Sequence, residues 1–167
     1  MQSNTFMDRT TTKYIFLDID GVLNSEDWHR YYWENDLQYT SYDMDIDYRA
    51  VRLLYGLVKS TGAEIVISSS WRLNMDDTRL RLYNAGLRCP IELSIAGYEY
   101  SDNDSHPTRG ELIENFLSTH PCGAYVIFDD EDDMTNGQKS GHFVRTKYKT
   151  GLTKKDISVA ERILANG

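Results

Sequence analysis

The sequence predicts an α/β fold in which a doubly wound, mainly parallel sheet carries helices on its two faces. Short apolar runs of the kind that form buried strands alternate along the chain with segments of helical spacing. Several of these runs end directly in acidic or hydroxyl side chains. Strands that alternate with helices are joined by right-handed crossovers, which produce a parallel sheet. No repeat or linker interrupts the chain, so we expect one domain over residues 13–167.

The first predicted elements occupy the N-terminal part of that domain. A polar tail, residues 1–12, precedes an apolar strand at residues 13–17. Residues 24–45 follow as an aromatic-rich segment without a clear period. The apolar residues between Ala50 and Val58 then recur at helical intervals, and Gly62 provides the stop that commonly ends a helix.

The remaining elements repeat this alternation. A second strand is expected at residues 63–68 and a helix at 75–85, and residues 88–107 are interpreted as a loop. Thr108 and Glu111 have the spacing of a capping box, which predicts a helix that starts at Arg109. The last predicted elements are a strand at 124–130, a shorter strand at 142–146 and a helix from Thr153.

Composition and charge exclude several classes of protein. No stretch approaches 18 consecutive apolar residues, so a membrane span is not expected. The N-terminus lacks the apolar segment of a signal peptide, and Cys89 and Cys122 form no C-x-x-C motif, which predicts reduced thiols in a cytoplasmic protein. The net charge of −8 argues against an extended nucleic-acid-binding face. However, residues 138–155 carry six Lys or Arg and no acid.

Two of the predicted strands end in carboxylates. Asp18 and Asp20 follow the first strand, and Asp129, Asp130 and Asp133 follow the third. Because the carboxyl ends of parallel strands meet at one edge, these groups should converge and repel one another. Either their pKa values rise or a divalent cation neutralises them, and oxygen ligands of this kind suit Mg²⁺. The alternative is that they are solvated turn residues.

Hydroxyl and cationic side chains stand at two further positions. Ser68, Ser69 and Arg72 follow the second strand, where hydroxyls and a guanidinium can bind phosphate oxygens. The alternative is a serine-rich turn with Trp71 in the core. Arg109 lies in the first turn of a predicted helix, where a cation opposes the helix dipole. An anion bound between the helix start and Arg109 would resolve this conflict, whereas a solvent-exposed arginine is the alternative.

Taken together, these motifs resemble those of the haloacid-dehalogenase-like (HAD) phosphohydrolases. The family's first motif, D-x-D-G-[VT]-L, matches residues 18–23, and its second, an apolar strand that ends in Ser or Thr, matches IVISSS. Arg109 stands where the third motif usually has Lys, and VIFDD matches the fourth. The resemblance covers residues 13–165. More narrowly, the chain is similar to the small HAD phosphatases found alone or fused within bacterial multi-domain RNA-repair proteins.

The resemblance implies a role for each of these residues. Asp18 would attack phosphorus and form an aspartyl-phosphate, and Asp20 would protonate the leaving oxygen and then activate water. The metal, Mg²⁺, would be held by Asp18, the Asp20 main-chain carbonyl and Asp130, with Asp129 or Asp133 beside them. The phosphate would be bound by the remaining polar residues of the motifs, Ser68 or Ser69, Arg72 and Arg109.

The resemblance also suggests which substrate the site takes. HAD proteins carry a flap or small cap after the first motif, here residues 24–45, and Trp28 within it is a candidate substrate contact. The basic stretch follows the last acidic motif directly, which places at least Lys139 near the mouth of the site, and Arg145 is a further candidate substrate contact. We therefore predict a magnesium-dependent phosphatase that acts on a nucleotide or a nucleic-acid terminal phosphate. The alternatives are a phosphatase for mononucleotides or other small metabolites and a non-catalytic phosphate-binding protein.

Overall fold

A computed structural model describes residues 11–35, 46–97 and 106–166. In this part of the chain, the strands form one sheet in the order β3-β2-β1-β4-β5, and every neighbouring pair is parallel. The strands are β1 (Lys13–Leu17), β2 (Glu64–Ile67), β3 (Leu93–Ser94), β4 (Ala124–Asp129) and β5 (Phe143–Arg145). The helices are α1 (Glu26–Glu34), α2 (Tyr48–Thr61), α3 (Met75–Asn84), α4 (Arg109–Thr119), α5 (Asn136–Gly141) and α6 (Lys154–Ala165), and a 3₁₀ helix (Ser70–Asn74) precedes α3.

The sheet is covered on both faces, and the alternation of side chains along β1 shows how. Ile15 and Leu17 point into a core that α2 and α6 share, whereas Tyr14 and Phe16 point into a second core beneath α4. The central strands are therefore apolar on both of their faces over most of their length, which is the pattern of a doubly wound sheet. The predicted fold class is confirmed.

The order of the strands determines where a ligand can bind. The chain moves from β1 outward through β2 to β3, and then crosses back to place β4 on the other side of β1. Ligands of doubly wound sheets bind at such a reversal, beyond the carboxyl ends of the central strands. Asp18 follows β1 at this edge, and Asp129 is the last residue of β4.

Helix capping explains most of the predicted helix starts. The predicted capping box is present, because the Thr108 hydroxyl accepts from the Glu111 amide and the Glu111 carboxylate accepts from the Thr108 amide. The helix starts at Arg109 as predicted. Gly62 ends α2 with a φ of 69°, the left-handed conformation that favours glycine.

Three elements differ from the sequence prediction. The aromatic-rich segment contains α1, whose first turn is capped by the Ser25 hydroxyl, and a second capping box at Thr135 and Gln138 starts the short helix α5. The predicted loop at 88–107 contains β3, which pairs with β2 over two residues only. Most of the predicted tail (residues 1–12) and the second part of the predicted flap (residues 36–45) lie outside the described residues. No helix in the described ranges has the length and apolar character needed to cross a membrane.

Candidate active site

Three carboxylates converge at the carboxyl edge of the two central strands. Asp18 comes from the end of β1, and Asp129 and Asp130 come from the end of β4. One oxygen of each lies within 4.8 Å of the others, so the group could hold a metal ion. The strands hold this arrangement directly, because the Asp18 amide donates to the Phe128 carbonyl at 3.0 Å. The predicted convergence of Asp18 with Asp129 and Asp130 is therefore present.

A single guanidinium nitrogen joins two of these carboxylates. Nη1 of Arg109 lies 2.9 Å from Oδ1 of Asp18 and 2.6 Å from Oδ2 of Asp129. All three side chains are buried. The main-chain amide of Arg109 also donates to Oδ2 of Asp133 at 3.2 Å. In this structure the protein's own carboxylates balance the cation in the first turn, and the predicted contact of Arg109 with a bound anion stays a prediction.

The buried acids have raised pKa values. Burial raises the pKa of Asp18 to about 8, and the charge of Asp129 adds to this effect, although Arg109 opposes it. Burial likewise raises the pKa of Asp129 to about 6 against the opposing charge of Arg109. Burial also raises the pKa of Asp130. One guanidinium therefore does not neutralise the three carboxylates, and the site favours a further positive charge.

Gly21 allows the two acidic strand ends to approach each other. Its φ is 72°, and a Cβ built on it would lie 2.5 Å from the Cγ of Asp130. Any side chain at this position would displace the Asp130 carboxylate, so the glycine of the first motif is required by packing as well as by backbone conformation. On the other side, the Thr146 hydroxyl donates to the Gly21 carbonyl at 2.8 Å.

Asp20 is exposed, yet both of its carboxylate oxygens accept hydrogen bonds. Nδ2 of Asn24 donates to Oδ1 at 2.7 Å, and the indole Nε1 of Trp71 donates to Oδ2 at 3.0 Å. Asn24 is itself oriented, because its Oδ1 accepts from the Gly21 amide at 2.9 Å. The carboxylate of Asp20 is therefore held in one orientation while it faces solvent.

The two serines after β2 have different environments. Ser69 caps the 3₁₀ helix by accepting from the Trp71 amide, and its side chain forms a hydrogen bond with Asp18 that opposes the rise in that residue's pKa. Ser68 is completely buried, and its hydroxyl has no partner among the described residues. Both main-chain amides donate to the Leu17 carbonyl, which places the two serines beside the end of β1. Ser69 is thus the serine that contacts the carboxylate cluster.

Comparison with known proteins identifies this arrangement. The model of the family described as the HAD domain in Swiss Army Knife RNA repair proteins matches residues 14–157. The chain belongs to this family. No curated protein and no solved structure matches it. The predicted resemblance to HAD domains of RNA-repair proteins is confirmed, and the four motifs lie at the edge where the HAD domain brings the strand ends together.

Arg72 of this HAD domain contacts the main chain. Its Nη1 donates to the carbonyls of Ser68 and Ser69 at 3.3 and 3.0 Å, and its Nη2 donates to the Gly97 carbonyl at 3.0 Å. The residue is only 8% exposed. In this structure the guanidinium connects the loop after β2 to the segment after β3 through these hydrogen bonds. The predicted contact of Arg72 with phosphate stays a prediction.

Trp28 requires a correction. Its side chain is 1% exposed and packs against the rings of Tyr32 and Tyr48, with the guanidinium of Arg49 over its ring at 5.1 Å. A buried ring has no surface to offer a substrate. Trp28 is therefore a buried packing residue between α1 and α2, and it is not a substrate contact.

Lys139 and Arg145 both contact the loop that follows β4. Lys139 Nζ lies 2.9 Å from Oδ1 of Asp132, and Nη1 of Arg145 lies 3.6 Å from Oδ2 of the same residue. Nε of Arg145 also donates to the Asp130 carbonyl at 2.9 Å. Both residues therefore lie beside the loop that follows β4, where each already has a carboxylate partner. Their contact with a substrate stays a prediction.

Sequence reasoning missed two residues that act on Asp20. Asn24 is four residues downstream, which is a spacing that allows a turn contact, but many asparagines share it. Trp71 lies 51 positions away in sequence and meets Asp20 only because β1 and β2 are neighbours. Trp71 carries an indole N–H donor and follows closely after the end of a strand, and this combination is the sequence signal that could have identified it.

Proposed function

We propose that this HAD domain is a magnesium-dependent phosphatase that acts through an aspartyl-phosphate on the terminal phosphate of a nucleotide or nucleic acid. The observation that carries the proposal is the cluster of Asp18, Asp129 and Asp130 with its raised pKa values. Buried carboxylates around one arginine need a further cation, and their ligand atoms are all oxygens, which suits Mg²⁺. The family match and the four motifs support the phosphatase chemistry.

The donor set also suggests how the metal would be held. Asp129 uses both carboxylate oxygens within the protein, since Oδ2 contacts Arg109 and Oδ1 accepts from the Glu131 amide at 3.0 Å. Asp130, beside Gly21, is the better direct ligand together with Asp18 and the main-chain carbonyl of Asp20. When bound, Mg²⁺ would neutralise these carboxylates and the charge of a substrate phosphoryl group.

The protein's own residues would perform two displacements. An oxygen of Asp18 attacks phosphorus, the bond to the leaving oxygen breaks, and Asp20 gives that oxygen its proton. A water molecule then attacks the phosphorus of the aspartyl-phosphate and gives its proton to Asp20. The bond between phosphorus and Asp18 breaks, which restores both carboxyl groups and releases phosphate. Arg109 and Ser69 lie beside Asp18, where their donors would position the phosphoryl oxygens.

The two aspartates can be tested separately. With p-nitrophenyl phosphate, whose leaving group needs little protonation, Asp20→Asn should form the phosphoryl adduct but hydrolyse it slowly. Mass spectrometry after acid quenching should detect the adduct in Asp20→Asn and not in Asp18→Asn. Turnover near that of the wild type in Asp18→Asn would refute the covalent mechanism.

The substrate class needs its own comparison. Oligonucleotides with 3′- or 5′-terminal phosphates, mononucleotides and sugar phosphates should be compared at several salt concentrations. We expect the highest kcat/KM for oligonucleotide ends, with an advantage that shrinks as salt screens the phosphate contacts. Equal kcat/KM for mononucleotides at every salt concentration would reject the nucleic-acid substrate and favour a small-molecule phosphatase.

A further inference from the structure

An exposed turn, residues 147–150, projects from the protein next to the candidate active site. The Thr150 and Gly151 amides donate to the Lys147 carbonyl at 2.9 and 2.8 Å, which closes the turn. Its side chains point outward: Tyr148 is 53% exposed, and Lys147 and Lys149 are exposed on either side of it. The turn thus presents one aromatic ring between two cations.

The backbone of this turn is fixed to α1. The Glu26 amide donates to the Tyr148 carbonyl at 3.2 Å, and the Asp27 amide donates to the Lys149 carbonyl at 2.9 Å. These contacts use two of the amides that a helix start leaves without an intrahelical partner. The main chain of the turn is therefore fixed by helix α1, while its side chains remain exposed.

The turn is also joined to the loop that carries Asp20. Thr146, directly before it, donates to the Gly21 carbonyl, and Gly151, directly after it, lies so close that a Cβ would be 2.8 Å from the Val22 carbonyl oxygen. Two residues of extended chain span at most about 7 Å, so the Cα of Tyr148 lies within about 7 Å of that of Thr146.

The charges of the turn distinguish it from the rest of the basic stretch. Lys139 and Arg145 contact Asp132, whereas Lys147 and Lys149 form no salt bridge with a carboxylate in the described ranges. On a chain of net charge −8, two such lysines beside an exposed ring form a local positive surface. Aromatic rings on which bases stack and cations that contact phosphates are the two components of single-strand binding sites.

We propose that the Lys147–Tyr148–Lys149 turn binds the end of a single-stranded nucleic acid whose terminal phosphate enters the carboxylate cluster. Tyr148 stacks on a base near that end, and the two lysines contact the phosphates on either side of it. This inference rests on the proposed function for the identity of the site and adds the feature that selects its substrate. Because base and phosphate are common to RNA and DNA, single strands of both should bind alike.

The test measures binding, so that it does not depend on turnover. A fluorescein-labelled single-stranded oligonucleotide with a phosphate at its free end is titrated with the protein in Ca²⁺, which can neutralise the carboxylate cluster and is expected not to support turnover, and its anisotropy is recorded. Tyr148→Leu should weaken binding about tenfold, whereas Tyr148→Phe should retain the wild-type affinity. Leu and Phe are both large apolar residues that an exposed turn can carry, but only the ring of Phe can stack on a base. Lys147→Ser with Lys149→Ser should reduce the slope of log K against log salt by about 1.4, or about 0.7 for each lost phosphate contact.

Matched controls are available at the opposite edge of the sheet. Tyr83 is 57% exposed in the last turn of α3, and Lys59 is exposed in the last turn of α2. Both helices end at the edge of the sheet opposite the candidate active site. Tyr83→Leu and Lys59→Ser should therefore leave the affinity for the oligonucleotide unchanged.

Four results would overturn the inference or separate it from the proposed function. Wild-type affinity in Tyr148→Leu would reject stacking, and so would equal affinity for a blunt duplex of the same sequence, whose bases are already stacked. If the wild-type protein hydrolyses no phosphate ester but binds the oligonucleotide through Tyr148, the binding turn stands and the phosphatase fails. If p-nitrophenyl phosphate is hydrolysed but no oligonucleotide binds, the phosphatase stands and the turn fails.

Discussion

Replacing Asp18 by Asn should stabilise the metal-free protein at neutral pH, although it removes the proposed nucleophile. Asp18 shares the Nη1 of Arg109 with Asp129 and lies in a buried cluster with Asp130. The amide has nearly the same shape as the carboxyl group and can still accept from Arg109. The substitution therefore removes only the negative charge of Asp18, which burial and the neighbouring carboxylate of Asp129 make unfavourable.

The direction of the pH dependence follows from the two pKa values. In the unfolded chain the Asp18 carboxyl loses its proton near 3.8, whereas in the folded protein it keeps it to about 8. The contribution of Asp18 to the free energy of unfolding is therefore most favourable below pH 3.8. It is lost as the pH rises from 3.8 towards 8, because the unfolded chain releases the Asp18 proton while the folded protein keeps it. One pKa unit corresponds to about 1.4 kcal/mol, so the cost at pH 7 has an upper limit of about 4 kcal/mol.

The expected shift in melting temperature is smaller than this limit. Relaxation of the buried cluster reduces the cost, so about 1–3 kcal/mol should be recovered in Asp18→Asn at pH 7. For a chain of this size, each kcal/mol raises the melting temperature by roughly 2–4 °C. We expect a rise of about 5 °C at pH 7.5 that disappears near pH 4.

The assay is thermal unfolding followed by circular dichroism in EDTA at several pH values. Asp20→Asn is the matched control, because it changes a neighbouring but exposed carboxylate of the same motif. It should melt like the wild type across the range. A lower melting temperature for Asp18→Asn than for the wild type at pH 7.5 would refute the reasoning, since the buried charge would then be stabilising.

Three further predictions concern activity and the residues around the cluster. Hydrolysis of p-nitrophenyl phosphate should require Mg²⁺ and be inhibited by Ca²⁺, whose looser coordination would misalign Asp18; full activity in excess EDTA would contradict the metal assignment. Arg109→Ala should abolish turnover and destabilise the protein by about 3–5 kcal/mol in denaturant titrations, because it leaves Asp129 buried without its cation. Arg109→Lys should retain part of the turnover and part of the stability. An Arg109→Ala variant as stable as the wild type would show that the ion pair contributes nothing. Trp71→Phe removes the indole donor to Asp20 and should lower kcat for alkyl phosphates, which need a proton donor, more than for p-nitrophenyl phosphate; equal losses for both esters would exclude a role in positioning the acid.

The strands and the acidic edge of this fold were predictable because local sequence determines them. β1 and β4 are continuous apolar runs, and the carboxylates that follow them meet wherever parallel strands lie side by side. The start of α4 was predictable for the same reason, since a capping box operates within four residues.

What could not be predicted depends on contacts distant in sequence. The two residues of β3 carry no strand pattern of their own and are ordered by pairing with β2. The two ion pairs of Arg109 were not predicted, because its carboxylate partners, Asp18 and Asp129, are 91 and 20 positions away in sequence. Likewise, the burial of Trp28 follows from the packing of α1 on α2, which no local pattern of aromatic residues specifies.

Asp18 directly follows β1, a central strand with a neighbouring strand on each side and a packed layer on each face. Amide protons in such a strand exchange with solvent only when the whole domain unfolds, whereas loops open locally at much lower free energy. The Asp18 amide, bonded to the Phe128 carbonyl, should therefore be among the last to exchange, and the amide of residue 132 in the exposed loop among the first. The carboxylate proposed as the nucleophile is consequently anchored to the central part of the sheet, and any adjustment to a substrate would be left to the loops that surround it.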